Sequence, residues 1–103
     1  MHDRVVAATS HMPHVVAAAI AATVPETALE FSAGGLRDTT RVAAGDPELW
    51  TQILLDNREQ VLDRIQSFDR SLAALCGALK RGDRKRLTAM LTKAKHQRDA
   101  LGS

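Results

Sequence analysis

HDRVVAATSHMPHVVAAAIAATV, residues 2–24, decides the fold. Val5, Val6, Ala7 and Ala8, then every residue from Val15 to Ala22, place apolar groups on all sides of a helix. A helix apolar all round is covered by its neighbours, and its many alanines let another helix come close. This helix is therefore expected at the centre. Pro13 lacks an N–H and clashes with the turn before it, so the helix should kink or restart near Ser10, with the Ser10 hydroxyl capping the second part. Such a break would leave unpaired polar groups beside His11 and His14.

Working outward, Pro25 stops the helix, and Glu26 to Leu36 reads as a connection. In it Ser32-Ala33-Gly34-Gly35 can adopt backbone angles closed to other residues, as a turn approaching a ligand or another helix would need. Asp38 or Thr39 can cap a short helix that runs through Arg41 and Ala44 to Gly45. Asp46 and Pro47 form an N-cap and first-turn pair for a helix with Trp50, Ile53 and Leu54 on its apolar face. Asn57 and Gln60 have the spacing of a capping box, opening a long helix. Along it Val61, Ile65, Phe68, Leu72, Leu75 and Leu79 alternate four and three residues apart. That is the seam of a helix packed at a shallow angle on a partner, in the same chain or in a second subunit. Arg81-Gly82-Asp83 is a stop and a new cap, and Leu87, Met90, Leu91 and Ala94 make a narrower stripe on a last helix fraying near Gly102.

The chain has 103 residues, 45% hydrophobic but only 3% aromatic, with no Tyr. Small and aliphatic side chains of this kind favour an all-α bundle of about five helices over a β-rich fold. One domain of this size gains stability from oligomerisation. The single cysteine, Cys76, excludes an internal disulfide and suits a reducing, cytoplasmic setting; within a helical pattern it is expected to be buried or half-buried. The apolar run Val15 to Ala22 is too short to span a bilayer, and no basic leader precedes it, so no membrane partner is expected.

The net charge of +2 conceals an asymmetry. Residues 1–79 carry six Lys/Arg against ten Asp/Glu, whereas residues 80–103 carry eight against two. A basic tail can bind nucleic acid, but no aromatic accompanies these charges as a stacking platform. A solvated helix face is the expectation.

His11 and His14 are three residues apart and fall on neighbouring positions of one helix face, where they could share a metal. A metal needs a further ligand at a defined place, and the His-Glu-x-x-His spacing is absent, so no metal is expected. Alternatively, each imidazole satisfies a carbonyl freed by Pro13. Arg41 can pair with Asp38 or Asp46, or remain available to an anion. Trp50 suits core or interface packing; His2 and His96 suit solvent.

Four motifs in order, Ser10-His11-Met12-Pro13-His14, then Gly34-Gly35-Leu36-Arg37-Asp38-Thr39-Thr40-Arg41, then Asp46-Pro47-x-x-Trp50, then Asn57-Arg58, resemble the C-terminal helical domain of the prephenate/arogenate dehydrogenases. The resemblance runs from about His2 to at least Leu79. It implies a homodimeric helical domain like the C-terminal domain of 6-phosphogluconate dehydrogenase. It further implies part of an NAD- or NADP-dependent enzyme that decarboxylates prephenate or arogenate oxidatively in tyrosine biosynthesis. It assigns His14 and Arg41 to substrate contact, Gly34 and Gly35 to close backbone approach, and Ser10, His11, Asp38 and Trp50 to support behind them. No Gly-x-Gly-x-x-Gly occurs. The nucleotide-binding half and its catalytic histidine are thus expected outside residues 1–103, leaving this chain without a catalytic residue or cofactor of its own. Met12, Leu36 and Gly45 depart from the family pattern, which more often has Leu, a larger aromatic and Ser at these places. A different reading is a stand-alone helical interaction module whose basic tail meets an acidic partner. A small chorismate-mutase-like enzyme fits less well, because no array of Arg and Lys faces one pocket.

Overall fold

The computed structural model describes residues 2–31 and 34–102, and among these there is no strand. The order is α1 (His2–Val6), a π-helical turn (Ala7–His11), α2 (Met12–Thr23), α3 (Glu26–Leu29), α4 (Gly34–Thr40), a 3-10 turn (Arg41–Ala44), α5 (Pro47–Asp56), α6 (Arg58–Arg81) and α7 (Arg84–Ala100). The all-α expectation holds; short pieces such as α3 raise the number of elements above five.

The expected restart at Ser10 does not occur. Proline at position 13 cannot donate to the turn behind it, and its ring crowds the carbonyl four residues back. The chain relieves this by widening one turn. Met12 N–H reaches the Ala7 carbonyl five residues back, while Val6, His11 and Met12 all keep right-handed helical angles. Ser10 is exposed, and no side chain caps α2. Because the helix is not interrupted, His2–Thr23 forms one run of 22 residues, long and apolar enough by length and composition to cross a membrane. The run Val15 to Ala22 alone did not suggest this. A helix covered by another protein surface has the same composition.

Contacts divide the chain into two units, Met1–Ile65 and Gln66–Ser103, with α6 running through both. In the first, α2 packs against α4 and the 3-10 turn. The buried apolar residues of this unit are Ala7, Ala17 and Val61, two of them alanines, as expected where backbones approach closely. Val24, extended before Pro25, ends α2.

Several local expectations change here. Ser32 and Ala33 lie outside the described residues. Gly34 and Gly35 do not form a turn; they open α4, and neither has a positive φ. Asp38 and Thr39 consequently sit inside that helix and cap nothing, and the Thr39 and Thr40 hydroxyls donate back to the Gly35 and Leu36 carbonyls at 2.8 and 2.7 Å. Asp46 and Pro47 do start α5, through backbone geometry alone.

In the second unit, Gly82 takes φ +62°, where only glycine is unstrained, and the Asp83 carboxylate accepts the Arg86 N–H at 3.0 Å. The turn and cap predicted for Arg81-Gly82-Asp83 are both present. The seam is only partly covered. Ala78, beside the seam, is buried, yet the seam residues Leu72 and Leu79 expose 47% and 69% of their surface, and Leu91 on α7 exposes 55%. Cys76 is exposed rather than half-buried. It lies four residues after Leu72 and three before Leu79, on the same uncovered face.

Candidate functional site

The site is organised by Trp50, in the first turn of α5, where Pro47 fixes the helix start and Trp50 N–H bonds the Asp46 carbonyl at 3.0 Å. Its indole lies flat on the His14 imidazole, with ring centroids 3.8 Å apart and planes at 14°. His11 meets the same indole edge-on, at 6.1 Å and 84°. The two histidines therefore face Trp50 in different ways instead of converging on a shared point. Among the described residues no group of three or more His, Cys, Asp or Glu is arranged to hold a metal.

Among the described residues His14 is the one buried polar residue, 7% exposed, and its Nδ1 has no hydrogen-bond partner. Burying an unpaired polar nitrogen costs about 1–3 kcal/mol. Neither histidine serves a carbonyl freed by Pro13: His11 Nδ1 is 3.2 Å from the Asn57 amide nitrogen, which also donates to the Asp3 carbonyl at 2.8 Å. Asn57 does not act as the first residue of a capping box. It sits at the junction of α5 and α6, and its side chain turns toward α1 and the π turn.

The other expected site residues are less closely joined. Arg41 heads the 3-10 turn that packs on α2, and it is exposed. The ion pair among the described residues is Lys95–Asp99, so Arg41 is paired with neither Asp38 nor Asp46. Asp38 is exposed on α4. Gly34 and Gly35 are exposed too, and a Cβ at either would meet nothing within 4 Å. Close approach is required at a different glycine. A Cβ on Gly45 would lie 2.8 Å from Trp50 Nε1, 3.0 Å from Trp50 Cδ1 and 3.5 Å from His14 Cε1. Gly45 and Asn57 are the residues that sequence reasoning left out of the site. The signal for Gly45 was its departure from the family pattern, and that for Asn57 was its place in the fourth motif.

Comparison with known proteins agrees with the resemblance. Residues 1–93 match the model of the family described as prephenate dehydrogenase, dimerization domain. The chain is 34% identical over 106 residues to a prephenate dehydrogenase of Bacillus subtilis (strain 168), covering 97% of this chain and 29% of that protein. It is similar in structure to Synechocystis arogenate dehydrogenase, with a TM-score of 0.90 at 30% identity, covering 97% of this chain and 39% of the other. It is also similar to prephenate dehydrogenase of A. aeolicus in complex with hydroxyphenyl propionate and NAD+, with a TM-score of 0.87 at 35% identity, covering 97% and 37%. The chain thus spans under a third of the Bacillus relative's length. Motif order, helical architecture and the family match over 93 residues lead to one conclusion: the chain belongs to the prephenate dehydrogenase dimerization-domain family.

Proposed function

We propose that the chain forms the substrate-binding and dimerisation part of a cytoplasmic prephenate or arogenate dehydrogenase of tyrosine biosynthesis, with His14 and Arg41 binding the substrate. The observation that carries this reading is the buried His14 ring, stacked on Trp50 with Nδ1 unpartnered, while the unpaired Arg41 lies in a segment packed on the same helix. Prephenate offers two carboxylates and a ring hydroxyl. A guanidinium fork can hold a carboxylate through two parallel hydrogen bonds, and an imidazole can take up a single polar group. The open space beside Gly34 and Gly35 leaves backbone accessible to the same ligand.

The family's reaction passes hydride from the substrate ring to NAD or NADP as carbon dioxide leaves. The residues of this chain do not fit a dinucleotide. Pyrophosphate binding in such enzymes uses a strand followed by Gly-x-Gly-x-x-Gly and a helix N-terminus. That motif is absent from the sequence, and the described residues include no strand. The nucleotide is assigned to another domain of the enzyme, and this chain to holding and orienting the substrate.

The homodimer is supported by the match to a dimerization-domain family and by the exposed leucines Leu72 and Leu79 on α6. Sedimentation should give a dimer; a monomer at high concentration would remove the interface. In a full-length enzyme carrying this domain, Arg41→Ala should raise KM at least tenfold with NAD affinity nearly unchanged, roughly the loss of one charge-assisted contact. Unaltered kinetics would take Arg41 out of the site.

A further inference from the structure

Asn57 bears on the site without lining it. A primary amide nitrogen is a donor only, with two hydrogens. One goes to the Asp3 carbonyl at 2.8 Å, so the other is the one directed at His11 Nδ1, 3.2 Å away. His11 must then accept at Nδ1 and carry its proton on Nε2. The acceptor in α1 fixes the amide from one side, and the imidazole is thereby held from the other. His11 in turn stands perpendicular to Trp50, which lies flat on His14. Each contact in this series leaves the next ring fewer orientations.

We propose that Asn57 is a positioning residue for the substrate site: it locks His11 in the Nε2–H tautomer against Trp50 and so holds the indole on His14. The inference rests on the reading of His14 as a substrate-binding residue. Aspartate at this position accepts only. It can serve neither the Asp3 carbonyl nor an unprotonated Nδ1, and it draws the His11 proton to Nδ1.

Long-range 1H–15N spectra of the 103-residue chain read the tautomer, indole ring-current shifts on the His14 protons read the stack, and titration with hydroxyphenylpropionate reads the site. Expected results are an Nε2–H His11 in the unaltered chain and an Nδ1–H His11 in Asn57→Asp. The ring-current shifts should then fall and the probe bind roughly two- to tenfold more weakly, as for one lost hydrogen bond. Asn57→Gln keeps the amide donor and should restore the Nε2–H tautomer. If Asn57→Asp does not fold, Asn57→Ser replaces it: one hydroxyl donor cannot serve both acceptors, and the stack should loosen in the same direction. An Nδ1–H His11 in the unaltered chain overturns the proposal. So does an unchanged stack and unchanged probe affinity once the amide is removed. Should His14→Ala leave probe affinity unaltered, the substrate reading fails instead, and the tautomer and ring-current results still decide whether Asn57 positions the rings.

Discussion

The two units of the chain use their side chains differently. Around Trp50, in the first, side chains are committed to one another: a stacked imidazole, a perpendicular imidazole, an amide with both hydrogens placed, and a glycine that admits the indole. In the second, Gly82 ends α6 and Asp83 caps α7, yet Leu72, Leu79, Leu91 and Cys76 remain on the surface. Specific geometry is concentrated around Trp50, whereas uncommitted apolar area is found in both units, from Val5, Phe31 and Leu62 in the first to Leu72 and Leu79 in the second. A site needs few allowed arrangements, whereas an interface needs area.

The most damaging way to break this contrast is to charge the uncovered face. Leu72→Asp with Leu79→Asp should convert the dimer to monomer in sedimentation, with a stability loss of several kcal/mol by analogy with exposing two buried leucines. Trp50 ring-current shifts on His14 should persist in whatever fraction stays folded. Dimers of undiminished affinity would show that this face is not the interface. Next in size, Gly45→Val would place a Cβ only 2.8 Å from Trp50 Nε1 and so crowd the indole. It should cost about 1–3 kcal/mol in thermal unfolding, as overpacking does, and shift the emission of the only tryptophan. An unshifted spectrum would mean that the stack tolerates a side chain there.

Asp83→Ala removes one cap bond and should cost about 1 kcal/mol, with amide exchange rising in the first turn of α7 but not around Trp50. The smallest expected effect has the opposite sign. Gly35→Ala meets open space at an ordinary helical position, so it should stabilise the chain by about 0.5–1 kcal/mol. If the ligand approaches there, the same change should weaken hydroxyphenylpropionate binding. Gain in stability together with loss of binding would separate a ligand-facing glycine from a folding one.

Sequence patterns made part of this legible. Pro47 and Gly82-Asp83 announced their helix boundaries because proline geometry, positive φ and side-chain capping are local requirements. The six-residue seam was visible in its spacing, since helical periodicity is independent of what covers it. The wide turn at Ala7–His11 was not: Pro13 signals that a helical hydrogen bond is lost, but not whether the backbone breaks or widens. Gly34 and Gly35 suggested a turn because glycine permits many conformations, and permission does not specify which is used. Asn57 had the spacing of a cap, but its Nδ2 donates to acceptors at Asp3 and His11, which turns the side chain away from the local backbone N–H that a cap would accept. His14 and Trp50 stood out as rare residue types, and only the fold could show that they stack.

The π-helical turn carries a consequence for phase. In an uninterrupted α-helix, eight residues separate Asp3 from His11 by about 80° around the axis, on divergent flanks. A turn that absorbs one additional residue cuts this offset to about 20° on the other side. Asp3 and His11 are thus brought into line, within reach of one amide. The residue that Pro13 forces the helix to accommodate acts as a rotational spacer. Removing Ala8 and letting the turn close to an ordinary α-helix would leave the same offset of about 20°, because seven residues at about 100° each return to that phase, so the alignment would survive without the wide turn.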